Sequence, residues 1–461
     1  MSVETLAPAD APRMPGPRGL PLIGVAHRFL FEPLPYFKEL VATYGPIQRV
    51  KLGPKEMVLL HDPEGIRHVL WKEGKKYPKP DFVMTLLEPL LGRGVATVTN
   101  WDEWMRIRRY VLPLFTPKML QAYFEHANVS AREDAEMLAV DAGKGAVIDV
   151  YERMHEAMFR ILLGTIFSGG IGKHEVPELT ALFNSTTHYM NARYMTLGLP
   201  VAEWLPSARR GKADLARINE RVYRMIAERR AENRTESRDM LDVLLAERLP
   251  DGSPIPEKEI RDNCMTMLFG GHETTAGSLT WAFGLLAANP DKRAKMFEEI
   301  DRVLEGRAPT HDDLKRLTYT EMVFDEAMRL YPMFGFLFRE ASEDDVVSGY
   351  PIKKGTLIAF CAYTAHRDSR YWNDPEAFIP ERFSPEEKDR HYKAGAYLPF
   401  SQGQRACIGE RAARMEALLL LAQISQRVQL DLAEGVLPEP KVSESIKPKG
   451  GMKMRVTHRG V

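Results

Sequence analysis

Cys407 is the residue best placed for chemistry. It lies in Phe400-Ser-Gln-Gly403-Gln-Arg405-Ala-Cys407-Ile-Gly409, just before a run that reads as a helix. Exposed backbone N–H groups and the helix dipole at such a position favour a thiolate. The two glycines let the backbone approach something flat and bulky, and Arg405 can pair with an anion beside the sulfur. A second constellation is Gly270-Gly271-His272-Glu273-Thr274-Thr275, in the middle of the longest helical pattern. Two glycines inside a helix cost about 1 kcal/mol each relative to alanine. A fold accepts that where something must come close to the backbone. Glu273 and Thr274 then form an acid–alcohol pair. The stretch is not a zinc-protease motif, because the second histidine of HExxH is missing: Ala276 stands there.

Further pairs are informative only by position. Glu326-Ala-Met-Arg329 is one of several ExxR spacings; Glu64/Arg67, Glu103/Arg106, Glu299/Arg302 and Glu387/Arg390 share it. Such pairs are usually solvated contacts one helical turn apart. Glu326 differs in preceding Leu-Tyr-Pro on a long helical pattern, well before the cysteine. Trp104-Met-Arg-Ile-Arg108, Arg339, His366-Arg367-Asp368 and Pro380-Glu-Arg-Phe383 complete the set.

Taken together these segments resemble the cytochromes P-450, the haem-thiolate monooxygenases, from PGPRGLPLIG (Pro15 to Gly24) to the end of the chain. The resemblance implies a mainly α fold with a small β-rich part: a triangular helical unit whose long central helix crosses over the haem. It implies haem b with Cys407 as axial thiolate, which pushes electron density onto iron and favours O–O cleavage, and O2 as co-substrate. Phe400, Arg405 and Gly409 belong to the haem loop. Gly270 faces the haem, where alanine is common in the family, and Glu273 and Thr274 deliver protons. Trp104, Arg108, Arg339 and Arg405 hold the propionates, since a guanidinium matches a carboxylate in two-point fashion. Glu326, Arg329, Arg382 and His366 are structural. Substrate contacts are expected from Phe82, Met84, Leu86, Leu87, Met267, Phe269, Phe334, Phe336 and the segment Met190 to Leu205, with Glu444 a candidate inward-pointing acid. A lining of this kind is apolar and adaptable.

The expected activity is insertion of one oxygen atom of O2 into a lipophilic small molecule: a fatty acid, terpenoid, steroid or polyketide. The chain shows no fused reductase, so electrons from NAD(P)H should arrive through a ferredoxin or flavodoxin with its reductase. Arg106, Arg109, Lys118, Arg411 and Arg414 could form its docking face. The competing reading is a non-catalytic thiolate-haem sensor or carrier, which has no need of the Glu273–Thr274 pair.

The elements that must position these residues follow from pattern. Strands are expected at Ile47–Leu52 and Met57–Leu60 around Gly53-Pro54. Helical patterns dominate from Trp101 to about Arg329. They include Arg217–Arg234, Asp239–Arg248 and Pro256–Ala288, the last about 45 Å long and stopped by Asn289-Pro290. A helix over Asp312–Leu330 should end at Pro332; extended pieces cover Val346–Ile358, and a last helix covers Gly409–Val428. Residues 1–20 read as a flexible tail and 21–461 as one domain. Of the 461 residues, 63 are Lys or Arg and 63 Asp or Glu. This balance excludes a nucleic-acid binder held by bulk charge. Three scattered cysteines exclude a disulfide framework. No apolar run is long enough for a membrane anchor. A cytoplasmic monomer is the expectation.

Overall fold

The computed structural model describes residues 13–53, 55–168, 174–196, 204–232, 237–442 and 445–459. The chain divides into two compact units. The first gathers residues up to Pro80, Arg329–Ala377 and Ser384–Cys407; the second holds Asp81–Met328, Phe378–Phe383 and Ile408–Val461.

The first unit is built on a four-stranded sheet in the order Ile47–Leu52, Lys55–Leu60, Leu357–Cys361, Phe336–Glu340. The outer pairs are antiparallel and the central pair is parallel. The strand Leu357–Cys361 is buried throughout, as a central strand covered on both faces should be. Ile47, Val58, Leu60, Ile66, Val69, Leu70, Ile358, Phe360 and Leu398 form its core. Pro15 to Gly24 lies along this sheet: Arg49 N–H donates to Pro15 O at 2.8 Å, and Val25 N–H donates to Lys51 O at 2.8 Å. The sequence pattern missed the helices Ala26–Phe31 and Pro33–Tyr44.

The second unit is helical. Its axis is the helix Glu257–Ala288, whose 32 residues are mostly buried on all sides, the mark of a helix with neighbours all around it. It ends at Asn289, and Pro290 opens the next helix, Pro290–Leu304, where its missing N–H costs nothing. Helix Val150–Ile166 packs along the long helix. A three-stranded sheet (Val147–Asp149, Lys453–His458, Val428–Leu432) and the pair Pro440–Val442/Ile446–Pro448 complete it. Trp281 Nε1 donates to Ile446 O at 2.9 Å, tying the long helix to the last of these strands.

Among the helices expected from the sequence, one differs in continuity. Asp312–Leu330 is not continuous: a short turn His311–Leu314 precedes a separate helix Thr318–Leu330. The break is imposed from outside. The Glu299 carboxylate accepts from the backbone N–H of Tyr319 at 2.7 Å and Thr320 at 2.8 Å, capping a new helix start as a side-chain acid can. Helices elsewhere differ only in their ends: Pro206–Ala231, Met240–Ala246 and Glu410–Arg427. Among the described residues no helix is long and apolar enough to cross a membrane.

Candidate functional site

The cysteine loop belongs to the first unit and is braced from behind. Cys407 N–H donates to Phe400 O at 2.9 Å, and Ala406 N–H donates to Gly403 O at 3.1 Å. Gln402 Nε2 donates to Tyr392 O at 2.8 Å. Gly403 has φ +76°, and a Cβ there would lie 1.9 Å from Leu70 O. Only glycine satisfies both constraints. The Cys407 side chain is left exposed, and Gly409, two residues on, caps the helix Glu410–Arg427.

Cations gather beside this thiol. Burial lowers Arg339 to about 10, with the charge of Arg405 adding to the effect. Loss of water lowers Lys79 to about 7, followed by repulsion from Arg339 and Arg405, while Cys407 opposes the shift. Arg339 donates to Phe338 O at 2.8 Å. Arg405 makes Arg339 less basic and both make Lys79 less basic, so an anionic group held here would relieve that repulsion. Lys79 was missed by sequence reasoning. It sits in Tyr77-Pro-Lys-Pro80 with no motif around it, and only the fold brings it to residues far along the chain. Arg329 donates to the carbonyls of His366 at 2.8 Å, Pro375 at 2.8 Å and Ala377 at 3.0 Å. His366 Nε2 accepts from Leu398 N–H at 2.8 Å. These bonds hold the chain that leads into the loop, which is a structural role. Phe334 is 43% exposed, whereas Phe336 packs on Phe37 with ring centroids 4.5 Å apart.

In the second unit the motif glycines have different reasons. A Cβ on Gly271 would lie 2.9 Å from a methyl of Leu162, so the neighbouring helix needs that glycine. Among the described residues, a Cβ on Gly270 would meet nothing within 4 Å. Gly270 is exposed, and Met267, Phe269, Gly271 and Thr274 are half-buried around it, the open strip of a helix otherwise largely buried. The Thr274 hydroxyl donates to Gly270 O at 2.6 Å. Glu273 is buried and is held by four partners. Ser445 Oγ donates to Oε1 at 2.7 Å and Tyr151 Oη donates at 3.3 Å. Lys447 Nζ pairs with Oε1 at 3.1 Å, and His155 Nε2 meets Oε2 at 3.0 Å. Burial alone would raise this acid, but His155, Lys447 and Ser445 together hold it well below the usual carboxylate range. None of these partners carries a sequence signal; Ser445 lies 172 residues from Glu273 and His155 118.

Other expected residues fall within the second unit as follows. Arg108 lies over the Trp104 ring at 5.2 Å, so that pair is brought together. Glu326 accepts from Ile379 N–H at 2.8 Å and meets Arg382 at 3.4 Å. Phe82 is 38% exposed, Met84 and Leu87 are half-buried, and Leu86 is buried. Phe269 lies 6.3 Å from the ring of Phe183. Residues 197–203, within the expected Met190 to Leu205 lining, and Glu444 lie outside the described residues. Of the five basic residues expected on a docking face, two are engaged internally. Arg106 is bidentate on Glu259 at 3.0 and 3.0 Å, and Arg414 binds Asp325 at 2.8 Å and Glu410 at 3.0 Å. Arg109, Lys118 and Arg411 are exposed.

Known proteins resemble this chain over nearly its whole length. The family model described as Cytochrome P450 matches residues 14–455. The chain is 34% identical to cyclooctatin synthase of Streptomyces melanosporofaciens, covering 94% of this chain and 93% of that protein. It is 31% identical to cyclooctat-9-en-7-ol 5-monooxygenase of the same organism, covering 93% and 92%. The crystal structure of the cytochrome P450DA heme domain superposes with TM-score 0.87 at 26% identity, covering 98% of each chain. Mainly helical architecture with small sheets, family model and relatives converge: this chain belongs to the cytochrome P450 family and is a haem-thiolate monooxygenase.

Proposed function

We propose that the chain oxygenates a lipophilic carbocycle of the terpenoid class, with Cys407 as the iron ligand. The observation that carries the site assignment is the first unit's loop. Gly403 is locked against Leu70, the thiol is exposed, and Lys79, Arg339 and Arg405 stand beside it. A thiol with three cations fits a planar metal macrocycle bearing two carboxylates. Lys79, Arg339 and Arg405 would hold its propionates, as would Trp104 and Arg108 by family resemblance. Bound haem supplies the oxygen-activating chemistry.

The chain's own residues do the rest. The loop fixes the thiolate by its backbone, because Gly403 and the Phe400–Cys407 bond leave it one path. Thr274 presents a hydroxyl on the open strip and is anchored to Gly270 O. Glu273 supplies the acid of the proton path. Phe82, Met84, Leu87 and Met267 in the second unit, and Phe334 in the first, each offer apolar surface suited to a lipophilic substrate. The terpenoid class is favoured over fatty acid, steroid and polyketide by the two Streptomyces relatives, one of whose names states monooxygenation of an unsaturated alcohol. Electrons from NAD(P)H are assigned to a separate ferredoxin or flavodoxin, docking on Arg109, Lys118 and Arg411.

The test is spectroscopic, followed by titration. Purified protein, reduced and exposed to CO, should show the strongly red-shifted Soret band of thiolate ligation. Polycyclic terpene alcohols and olefins should displace the iron-bound water more tightly than fatty acids or steroids. A Soret band in the ordinary histidine-haem position overturns the Cys407 assignment; preference for a fatty acid overturns the substrate class.

A further inference from the structure

Glu273 poses a problem that the acid–alcohol pairing leaves open. An acid held well below its usual range, with Lys447 on one oxygen, is a poor store of protons. The geometry of its other oxygen supplies the missing store. His155 Nδ1 lies 2.7 Å from Tyr151 O. A backbone carbonyl only accepts, so Nδ1 must carry a hydrogen. His155 Nε2 lies 3.0 Å from Glu273 Oε2. That contact is a hydrogen bond only if Nε2 also carries a hydrogen, or if Oε2 is protonated and donates to a bare Nε2. In either case the pair holds one proton beyond a neutral imidazole and a carboxylate.

We propose that His155 and Glu273 share one stored proton at working pH, and that His155 is the immediate donor when Glu273 passes a proton towards Thr274. This role in delivery rests on the monooxygenase reading above. The transfer balances simply. The proton leaves Nε2 for Oε2, and the ring becomes neutral with its remaining hydrogen on Nδ1, still donated to Tyr151 O. Glu273, now an uncharged acid, gives up that proton on the Thr274 side and returns to the carboxylate. Solvent refills the pair from the side of Lys447, whose side chain is 23% exposed.

The surroundings support a store at this place. Among the described residues, three charged or titratable groups meet the pair: Tyr151 from the same helix as His155, His272 from the long helix, and Lys447 from the strand Ile446–Pro448. Ser445, just before that strand, adds a hydroxyl. His272 meets the His155 ring edge to face, 4.9 Å between centroids and 82° between planes. The rings of Phe159 and Phe183 stand around it, 5.4 and 5.1 Å away. Neither nitrogen of His272 has a hydrogen-bond partner among the described residues. Burial, then the charge of His155, holds His272 down to about 3, so it does not compete for the proton. Lys447 and the hydroxyls of Ser445 and Tyr151 crowd onto Oε1, which leaves Oε2 to the histidine.

The experiment uses the haem-loaded, reduced, CO-bound protein with 15N-labelled histidine. His155 is assigned by its loss in His155→Gln or, if that variant does not fold, by its shift in Glu273→Gln. Near pH 7.5, either both ring nitrogens of His155 carry hydrogen, or an infrared carboxylic-acid band is present that Glu273→Gln removes. A ring protonated at one nitrogen with no such band overturns the stored proton. In turnover, His155→Gln keeps a donor to Oε2 but cannot carry the extra proton. Product per electron pair should fall about fivefold or more, and the solvent deuterium isotope effect should grow. Unchanged coupling overturns the donor role. Loss of the red-shifted Soret band in the parent protein would sink the monooxygenase assignment and leave the resonance result standing.

Discussion

The cysteine loop and the Glu273 pocket handle charge in opposite ways. The loop collects three like charges, Lys79, Arg339 and Arg405, beside one exposed sulfur. That arrangement is costly until an anion joins it. The Glu273 pocket buries one carboxylate and surrounds it with Ser445, Tyr151, Lys447 and His155, so its charge is answered by the chain itself. The difference separates a site built to receive a charged group from one built to handle a proton. The first is pre-organised for a visitor; the second is complete without one.

Several substitutions would break or sharpen this contrast. The largest effect is expected for Cys407→Ser, which should abolish the thiolate spectrum and reduce product formation at least about a hundredfold, measured by CO difference spectra and turnover. Glu273→Leu should cost about 3–5 kcal/mol in denaturant unfolding, because it strands Lys447 and His155 around an apolar side chain. Gly403→Ala places a Cβ against Leu70 O and asks for a left-handed backbone. It should cost roughly 2–3 kcal/mol and lower haem retention.

A further test compares two buried glutamates of the second unit. Burial alone raises Glu416 to about 8, whereas Glu273 is lowered by its partners. The signs therefore oppose. For Glu416 the folded state binds its proton more tightly than the unfolded chain, so its contribution is intact below the ordinary carboxylate value and is lost as pH rises towards 8. For Glu273 the contribution is present above that ordinary value and is lost on acidification. Glu416→Gln should thus gain most over the parent at pH 8, by about 3 kcal/mol or less, with the gain vanishing near pH 4. The smallest effect belongs to Gly270→Ala. With no described residue within 4 Å of the new methyl, it should stabilise the protein by up to about 1 kcal/mol, with full haem content.

What the sequence disclosed, and what it did not, follows the same division. The cysteine loop, the glycine-bearing long helix and the Trp104–Arg108 turn were legible because their chemistry depends on residues a few positions apart. The end of the long helix was legible because Asn289-Pro290 admits no other outcome. The break before Thr318 was not, since the Glu299 acid that caps it reaches in from the preceding helix. Lys79 was invisible for a related reason: one lysine among many, given meaning only by Arg339 and Arg405. The histidine beside Glu273 has the same character, and so do the internal ion pairs that remove Arg106 and Arg414 from the expected docking face. Local spacing reveals what a segment can do. Partners chosen across the fold decide what it is allowed to do.

The contact between Gly403 and Leu70 has a practical consequence. The path of the cysteine loop is dictated by a carbonyl 333 positions earlier in the chain (403 less 70). A synthetic peptide copied from Phe400–Gly409 would keep every motif residue yet lose the wall against which it is folded. The same loop grafted onto another scaffold would bind iron through sulfur with no defined approach. The transplantable object is the loop together with the helical turn that carries Leu70, and a minimal designed haem-thiolate protein would have to import both.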